Sequence, residues 1–143
     1  MSLIKQLLDQ KGHDVWTIDA DASVLSAVEL MANKGVGALV VMENGDTVGV
    51  ITERDYARKI VLKGRSSSNT KIKEIMSDKV IYAEPGNSVE ECMAILTEKR
   101  IRHLPVMDEG KLTGIISIGD LVKAKVAEQK FLIDQLVHYI HGQ

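Results

Sequence analysis

Two rhythms of apolar residues alternate along this chain, and the alternation occurs twice. A short apolar run at residues 15–18 predicts a strand. Val24, Ala27, Val28 and Met31 then recur at helical spacing, predicting an amphipathic helix that Gly35 would stop. Two aliphatic runs, residues 38–42 and 48–51, flank Glu43-Asn44-Gly45-Asp46. Asn-Gly tolerates positive φ at both residues, so this reads as a hairpin. A further helix is predicted to begin near Asp55. The series then returns: a strand at residues 80–83, a helix on Val89, Cys92, Met93 and Leu96, a hairpin turning at Asp108-Glu109-Gly110-Lys111, and a helix from near Asp120. Ser88 with Glu91 three residues on is a capping box for the second of these helices. Each half reads β-α-β-β-α.

The halves share one register. Gly49-Val50-Ile51-Thr52-Glu53-Arg54-Asp55 aligns with Gly114-Ile115-Ile116-Ser117-Ile118-Gly119-Asp120, 65 positions further on. The same offset lays Ala38-Leu39-Val40-Val41-Met42 on His103-Leu104-Pro105-Val106-Met107, Gly45 on Gly110, Ser23-Val24 on Ser88-Val89, and Val15 on Val80. This divides the chain into a first repeat with a short N-terminal helix (1–62), a polar linker (63–70), a second repeat beginning with a short helix (71–125) and a helical extension (126–143). One repeat of roughly 50 residues is too small to bury a sufficient core. The expected fold is therefore α/β (α+β): two tandem repeats packed sheet to sheet with pseudo-twofold symmetry and a cleft at each end of the axis. In the extension, Phe131, Leu132, Leu136 and Ile140 form an apolar stripe that must bury itself somewhere. Dimerisation is the favoured reading over folding back.

Composition narrows the function. Aromatic residues are only 3% of the chain, so the core must be aliphatic. A net charge of −2 excludes broad binding to nucleic acid, which needs a basic excess. Lys123, Lys125 and Lys130 interleave with Glu128 and Asp134 and read as a solvated helix face. No apolar run approaches the ~20 residues that cross a bilayer. The N-terminus carries no secretory signal, and one cysteine, Cys92, suits a reducing compartment. The expectation is a cytoplasmic protein without membrane contact. Cys92 lies at an apolar helical position and reads as core. His138 and His141 lack a third ligand nearby, so no metal is expected.

The repeated Gly-aliphatic-aliphatic-Thr/Ser-x-x-Asp, preceded by an aliphatic hairpin strand, resembles the CBS domain, named for cystathionine β-synthase. Arg100-Ile101-Arg102-His103-Leu104-Pro105-Val106 is similar to the usual start of that hairpin in a second copy, and the tandem resembles a Bateman module. The resemblance spans roughly residues 5 to 125. It implies regulation rather than catalysis, an adenine-nucleotide ligand (AMP, ADP or ATP, with NAD or S-adenosylmethionine as alternatives), and homodimers through CBS–CBS packing. With no further domain in the sequence, the expected output is an unidentified target protein or the assembly state.

Chemistry fits that implication. Thr52 and Ser117 precede helices, where a hydroxyl caps and free N–H groups attract phosphate. Asp55 and Asp120, one turn on, can each accept both hydroxyls of a ribose diol. The bland alternative is helix capping alone. The resemblance further implies that each hydroxyl and carboxylate shares a site with the other copy's hairpin start. Site one would join Thr52, Arg54 and Asp55 with Arg102 and His103, on a base of Lys79, Val80 and Ile81. Site two would join Ser117 and Asp120 with Val36, Gly37 and Ala38, and with His13, Asp14 and Val15. The guanidinium and imidazole make site one the expected stronger phosphate binder. Trp16 either packs or stacks on adenine. A scaffold dimer with vestigial clefts is the competing reading. An enzyme is not expected, because no nucleophile–base pair or phosphate-binding Gly-rich loop is present.

Overall fold

The two hairpins are near copies because the same turn chemistry specifies both. Asn44 and Glu109 take φ of 53° and 50°, and Gly45 and Gly110 follow at 83° and 79°. In the computed structural model, which describes residues 2–141, β2 (Ala38–Glu43) pairs antiparallel with β3 (Asp46–Thr52), and β4 (His103–Asp108) with β5 (Lys111–Ser117). Leu39 faces Ile51, and Leu104 faces Ile116, so the offset of the sequence is preserved in the pairing. Both hairpins also slip register at the same place, between Val41 and Met42 and between Val106 and Met107.

Five α-helices are set around these hairpins in the sequence: α1 (Ile4–Lys11), α2 (Val24–Lys34), α3 (Glu53–Tyr56), α4 (Val89–Lys99) and α5 (Ile118–Ile140). A wider π-helical turn, Ala57–Val61, continues α3, and a 3-10 turn occupies Ile72–Glu74, where a short helix was expected. The strand β1 (Thr17–Asp19) runs parallel to β2, giving the sheet order β1-β2-β3. In the other half no full counterpart of β1 forms. The strand expected at residues 80–83 shrinks to a bridge in which Ala83 N–H donates to Pro105 O and Met107 N–H donates to Ala83 O, each at 2.9 Å. Just upstream, Ser77 is tied to Val50 by bonds of 3.3 and 3.4 Å, one in each direction.

The protein divides into two compact units. The first runs from Val15 to Ile81; the second joins the residues up to Asp14 with those from Tyr82 onward. These units do not coincide with the repeats read from the sequence, whose outermost residues, Met1 and 142–143, lie outside the described residues. The N-terminal helix belongs with the second repeat, and residues 71–81 belong with the first. Leu3 bridges Ser88, and Lys71 bridges Ser23. Val89 N–H donates to Ser2 O at 3.0 Å, and Val24 N–H to Thr70 O at 2.9 Å. The first N–H groups of a helix have no partner within it, so each repeat's first helix is completed by the segment preceding the other repeat. The stretch at 63–70 is likewise engaged. Leu25 N–H donates to Ser67 O at 3.0 Å, and Thr70 is buried.

Aliphatic burial then holds each unit. Val24, Ala27 and Met31 of α2 meet Leu39, Val41 and Ile51 of the sheet, with Ile60, Ile72 and Ile75 closing the first core. Ile4, Leu8, Val89, Leu96, Leu104, Ile116 and Leu121 are buried in the second unit. Cys92 is buried there too, as its apolar helical position predicts, and desolvation pushes its thiol up to about 11.

Helix ends differ in one instructive way. α2 stops at Gly35 with φ 66°, whereas α4 stops at Arg100 with φ 56°. A side chain in the left-handed region carries a steric cost that glycine avoids. Arg100→Gly is therefore expected to stabilise the protein by about 0.5–1 kcal/mol, raising the melting temperature by roughly 1.5–3 °C in a circular-dichroism melt.

Candidate functional site

Each hairpin's last strand delivers a hydroxyl and a carboxylate to the start of a helix. Thr52 caps α3: its Oγ1 accepts the Asp55 N–H at 3.1 Å, and Asp55 Oδ2 accepts the Thr52 N–H at 3.0 Å. Ser117 caps α5 in the same way, accepting the Asp120 N–H at 3.1 Å while Asp120 Oδ2 accepts the Ser117 N–H at 2.8 Å. Both are capping boxes with Asp in place of the usual Glu or Gln. The shorter side chain holds the carboxylate close against the junction.

Sequence reasoning missed the ammonium group beside each carboxylate. Lys59 Nζ lies 3.2 Å from Asp55 Oδ1 and donates to Ile75 O at 2.7 Å. Its spacing, four residues past Asp55, was a signal available in the sequence. Lys11 Nζ, at the end of α1, lies 2.5 Å from Asp120 Oδ2 and donates to Ile115 O at 2.6 Å. No local pattern links Lys11 to Asp120; only the placement of α1 on the second repeat brings them together.

Burial pushes the Asp120 carboxyl upward, but the Lys11 ammonium and the Ser117 N–H outweigh it and hold the group below the usual carboxylate range. A carboxyl lowered in the folded state contributes stability that is fully present above its unfolded value of about 3.9. That contribution is lost as pH falls through the lowered folded value. Lys11→Met is therefore expected to lower the melting temperature at pH 7. The gap from the parent protein should narrow as melts are repeated at pH values falling below the ordinary carboxylate range, leaving only the pH-independent loss of the bond to Ile115 O.

The antiparallel hairpin decides what else stands at each junction. A hairpin begins beside the place where it ends, so each hydroxyl neighbours the start of its own hairpin. Ala38 pairs with Thr52, and Glu53 N–H donates to Gly37 O at 3.1 Å. His103 pairs with Ser117, and Ile118 N–H donates to Arg102 O at 2.9 Å. The sequence reading grouped Arg102 and His103 with Thr52 and Asp55, and Val36, Gly37 and Ala38 with Ser117 and Asp120. Within its own unit, each hairpin sets the guanidinium and imidazole residues beside Ser117, and the small residues beside Thr52.

The two junctions consequently differ in character. At the first, small residues leave a cavity of about 450 Å³, lined by Val28, Met31, Val36, Gly37, Glu53 and Tyr56 among others. It is largely apolar, with one carboxylate and one phenol at its rim. At the second, Arg102 is exposed and His103 half-buried, next to Ser117, Asp120 and Lys11.

The remaining expected residues fall as follows. Lys79, exposed, and Val80 and Ile81, half-buried, lie in the unit of Thr52 and Asp55. Arg54 is exposed in the first turn of α3. His13 and Asp14 lie in the unit of Ser117 and Asp120, and Val15 in the other. His13 Nδ1 is 2.8 Å from Thr113 O, and its Nε2 is 3.5 Å from Asp9 Oδ1, so the ring braces α1 against β5. Trp16 is 39% exposed, and Lys34 Nζ sits 4.4 Å from its ring centroid. This cation–π contact occupies one face that stacking would use. Among the described residues no group of three metal-ligating side chains exists, and no helix is long and apolar enough to cross a membrane.

Comparison with known proteins extends the repeat argument. A plant relative, the mitochondrial CBS domain-containing protein CBSX3 of Arabidopsis thaliana, is 43% identical over 85% of this chain, which spans 62% of that protein's length. A solved protein with CBS domains from Burkholderia ambifaria is 51% identical, with a TM-score of 0.86 over 90% of this chain and 96% of its own. The CBS domain pair of protein MJ0100, crystallised with 5'-methylthioadenosine and S-adenosyl-L-methionine, shares the fold at 23% identity and a TM-score of 0.79, over 90% of this chain and 98% of its own. The CBS-domain family model matches residues 10–62 and 72–127, the two stretches that carry the duplicated strand-to-helix junctions, and the chain belongs to the CBS-domain family.

Proposed function

We propose that this chain is a non-catalytic regulatory module that binds an adenosyl compound at its strand-to-helix junctions. The candidates are AMP, ADP, ATP, NAD and S-adenosylmethionine. The observation that carries the reading is the second junction, where Ser117, Asp120, Arg102 and His103 gather a hydroxyl, a carboxylate, a guanidinium and an imidazole at the start of a long helix. A carboxylate has about four lone-pair directions. The Ser117 N–H and Lys11 use two of them on Oδ2, so Asp120 keeps acceptor capacity for a ribose diol. Arg102 and His103 suit phosphate oxygens. The first junction, next to an apolar cavity, suits the base or a ligand of low charge. The binding of two adenosyl compounds by MJ0100, a protein of the same fold, is in keeping with this reading.

Occupancy regulates only if one arrangement of the protein binds the ligand better than another. The output is then a separate target protein, in the reducing cytoplasm that a single buried thiol suits, or the protein's own assembly state. The scaffold reading has one observation in its favour: capping and lysine pairing already give both carboxylates partners without any ligand. A thermal-shift panel separates the two. A compound that binds the folded state alone raises the melting temperature, by about 2.7 kcal/mol of stability at one hundred times its dissociation constant. At least one of the five adenosyl compounds is expected to do so; inertness to all five favours the scaffold.

A further inference from the structure

Beyond its first turn, α5 carries a seam whose spacing is that of a two-stranded coiled coil. Val122, Val126, Gln129, Ile133, Leu136 and Ile140 follow one another at alternating intervals of four and three residues. Such a 3.5-residue period keeps one stripe facing a partner helix when two helices supercoil. The stripe is uncovered: Val126 is 58% exposed, Ile133 59%, Leu136 61% and Ile140 75%. A different side of the helix faces the protein's own body. Leu121 is fully buried, and Lys125 Nζ holds Glu90 Oε1 at 2.7 Å.

Residue types along the seam select a partner. Val126, Ile133 and Ile140 take the a positions and Val122, Gln129 and Leu136 the d positions. Aliphatic β-branched side chains at a, with Leu at a d position, favour a parallel pair of helices. Gln129 is the single polar residue of the seam. In a parallel, in-register pair it meets its own copy and can hydrogen-bond to it; an antiparallel pair over the same seam buries it against Ile133. One such polar layer fixes register and orientation. The charges are compatible, because Lys125, which would face Lys130 of the partner subunit, is already paired with Glu90.

The area is sufficient. The seam of 19 residues is about 28 Å long at 1.5 Å per residue. Its side chains and the flanking Leu132 and Val137, each roughly half exposed, offer on the order of 500 Å² per chain. Two copies bury about 1,000 Å², the lower bound for a specific interface. The helix is anchored at its start and already formed, which reduces the ordering cost of association.

We propose that α5 pairs in parallel with α5 of a second copy of this chain, with Gln129 meeting Gln129 of the partner subunit. Sedimentation equilibrium of the full chain tests this. The parent protein is expected to be a dimer at micromolar concentration. Ile133→Lys raises the dimer dissociation constant at least tenfold, with circular dichroism reporting intact units. Phe131→Ser, exposed but off the seam, leaves dimerisation unchanged. Ile140→Cys forms an interchain disulfide on mild oxidation, since a positions adjoin only in the parallel pair. A monomeric parent protein, a dimer indifferent to Ile133→Lys, equal sensitivity to Phe131→Ser, or no crosslink through residue 140 would each overturn the proposal.

Discussion

Replacing Gly49 by alanine is expected to lower the melting temperature by roughly 6–12 °C, the largest single-residue effect on stability foreseen for this protein. A Cβ at Gly49 would stand 2.6 Å from the Ser77 carbonyl oxygen and 2.8 Å from Met76 Sδ. The methionine could swing away, but the carbonyl is backbone. It is held by reciprocal hydrogen bonds between Ser77 and Val50, and by the 3-10 turn that seats Ile72 and Ile75 in the core. Relief requires prying residues 72–77 off β3. Overpacking of this kind costs about 2–4 kcal/mol, and each kcal/mol shifts a domain of this size by about 3 °C. Gly114 is the matched control. Its added Cβ would meet Leu8 Cδ2 at 2.9 Å, the far end of a side chain that can change rotamer. Gly114→Ala is expected to cost about 1–2 kcal/mol. Melts of both variants by circular dichroism check the order; a milder effect at Gly49 than at Gly114 would contradict the packing described.

The second large effect concerns ligand affinity. Asp120→Asn keeps the size of the side chain and one acceptor, but removes the charge. Hydrogen bonds to a charged group are worth about 1.5–3 kcal/mol. The dissociation constant of the adenosyl compound that stabilises the parent protein should therefore rise tenfold or more, to roughly a hundredfold. Asp55→Asn is expected to weaken binding only two- to fivefold, because Gly37 and Ala38 stand where the second junction has Arg102 and His103. Arg102→Ala should discriminate by phosphate, weakening ATP more than S-adenosylmethionine. Competition titrations with a fluorescent adenine nucleotide give these ratios. A larger loss from Asp55→Asn than from Asp120→Asn would reverse the assignment of the stronger junction.

What the sequence disclosed was whatever is encoded locally. Hairpins, caps and amphipathic helices depend on residues within a few positions of one another, and the offset of 65 that carried the family compares two such local motifs. Pairings between distant segments were not disclosed. Residues 3–11 and 71–77 have similar apolar patterns, and either would fit either sheet. The close approaches of Leu8 to Gly114 and of Met76 to Gly49 decide which goes where. The same ambiguity concealed Lys11 at Asp120. The adjacency of His103 and Ser117 was implicit in the hairpin assignment, since an antiparallel hairpin returns to where it began. The strand expected at residues 80–83 shrinks to the bridge at Ala83, and apolar periodicity alone does not tell a bridge from a strand.

Isothermal titration calorimetry of the purified chain with AMP, ADP, ATP, NAD and S-adenosylmethionine bears most directly on the proposed function. Saturable binding of at least one compound is expected, with most of the heat lost in Asp120→Asn and the remainder in the Asp55→Asn, Asp120→Asn double variant. No heat from any of the five, or an isotherm that the double variant leaves unchanged, would contradict a ligand role for these junctions.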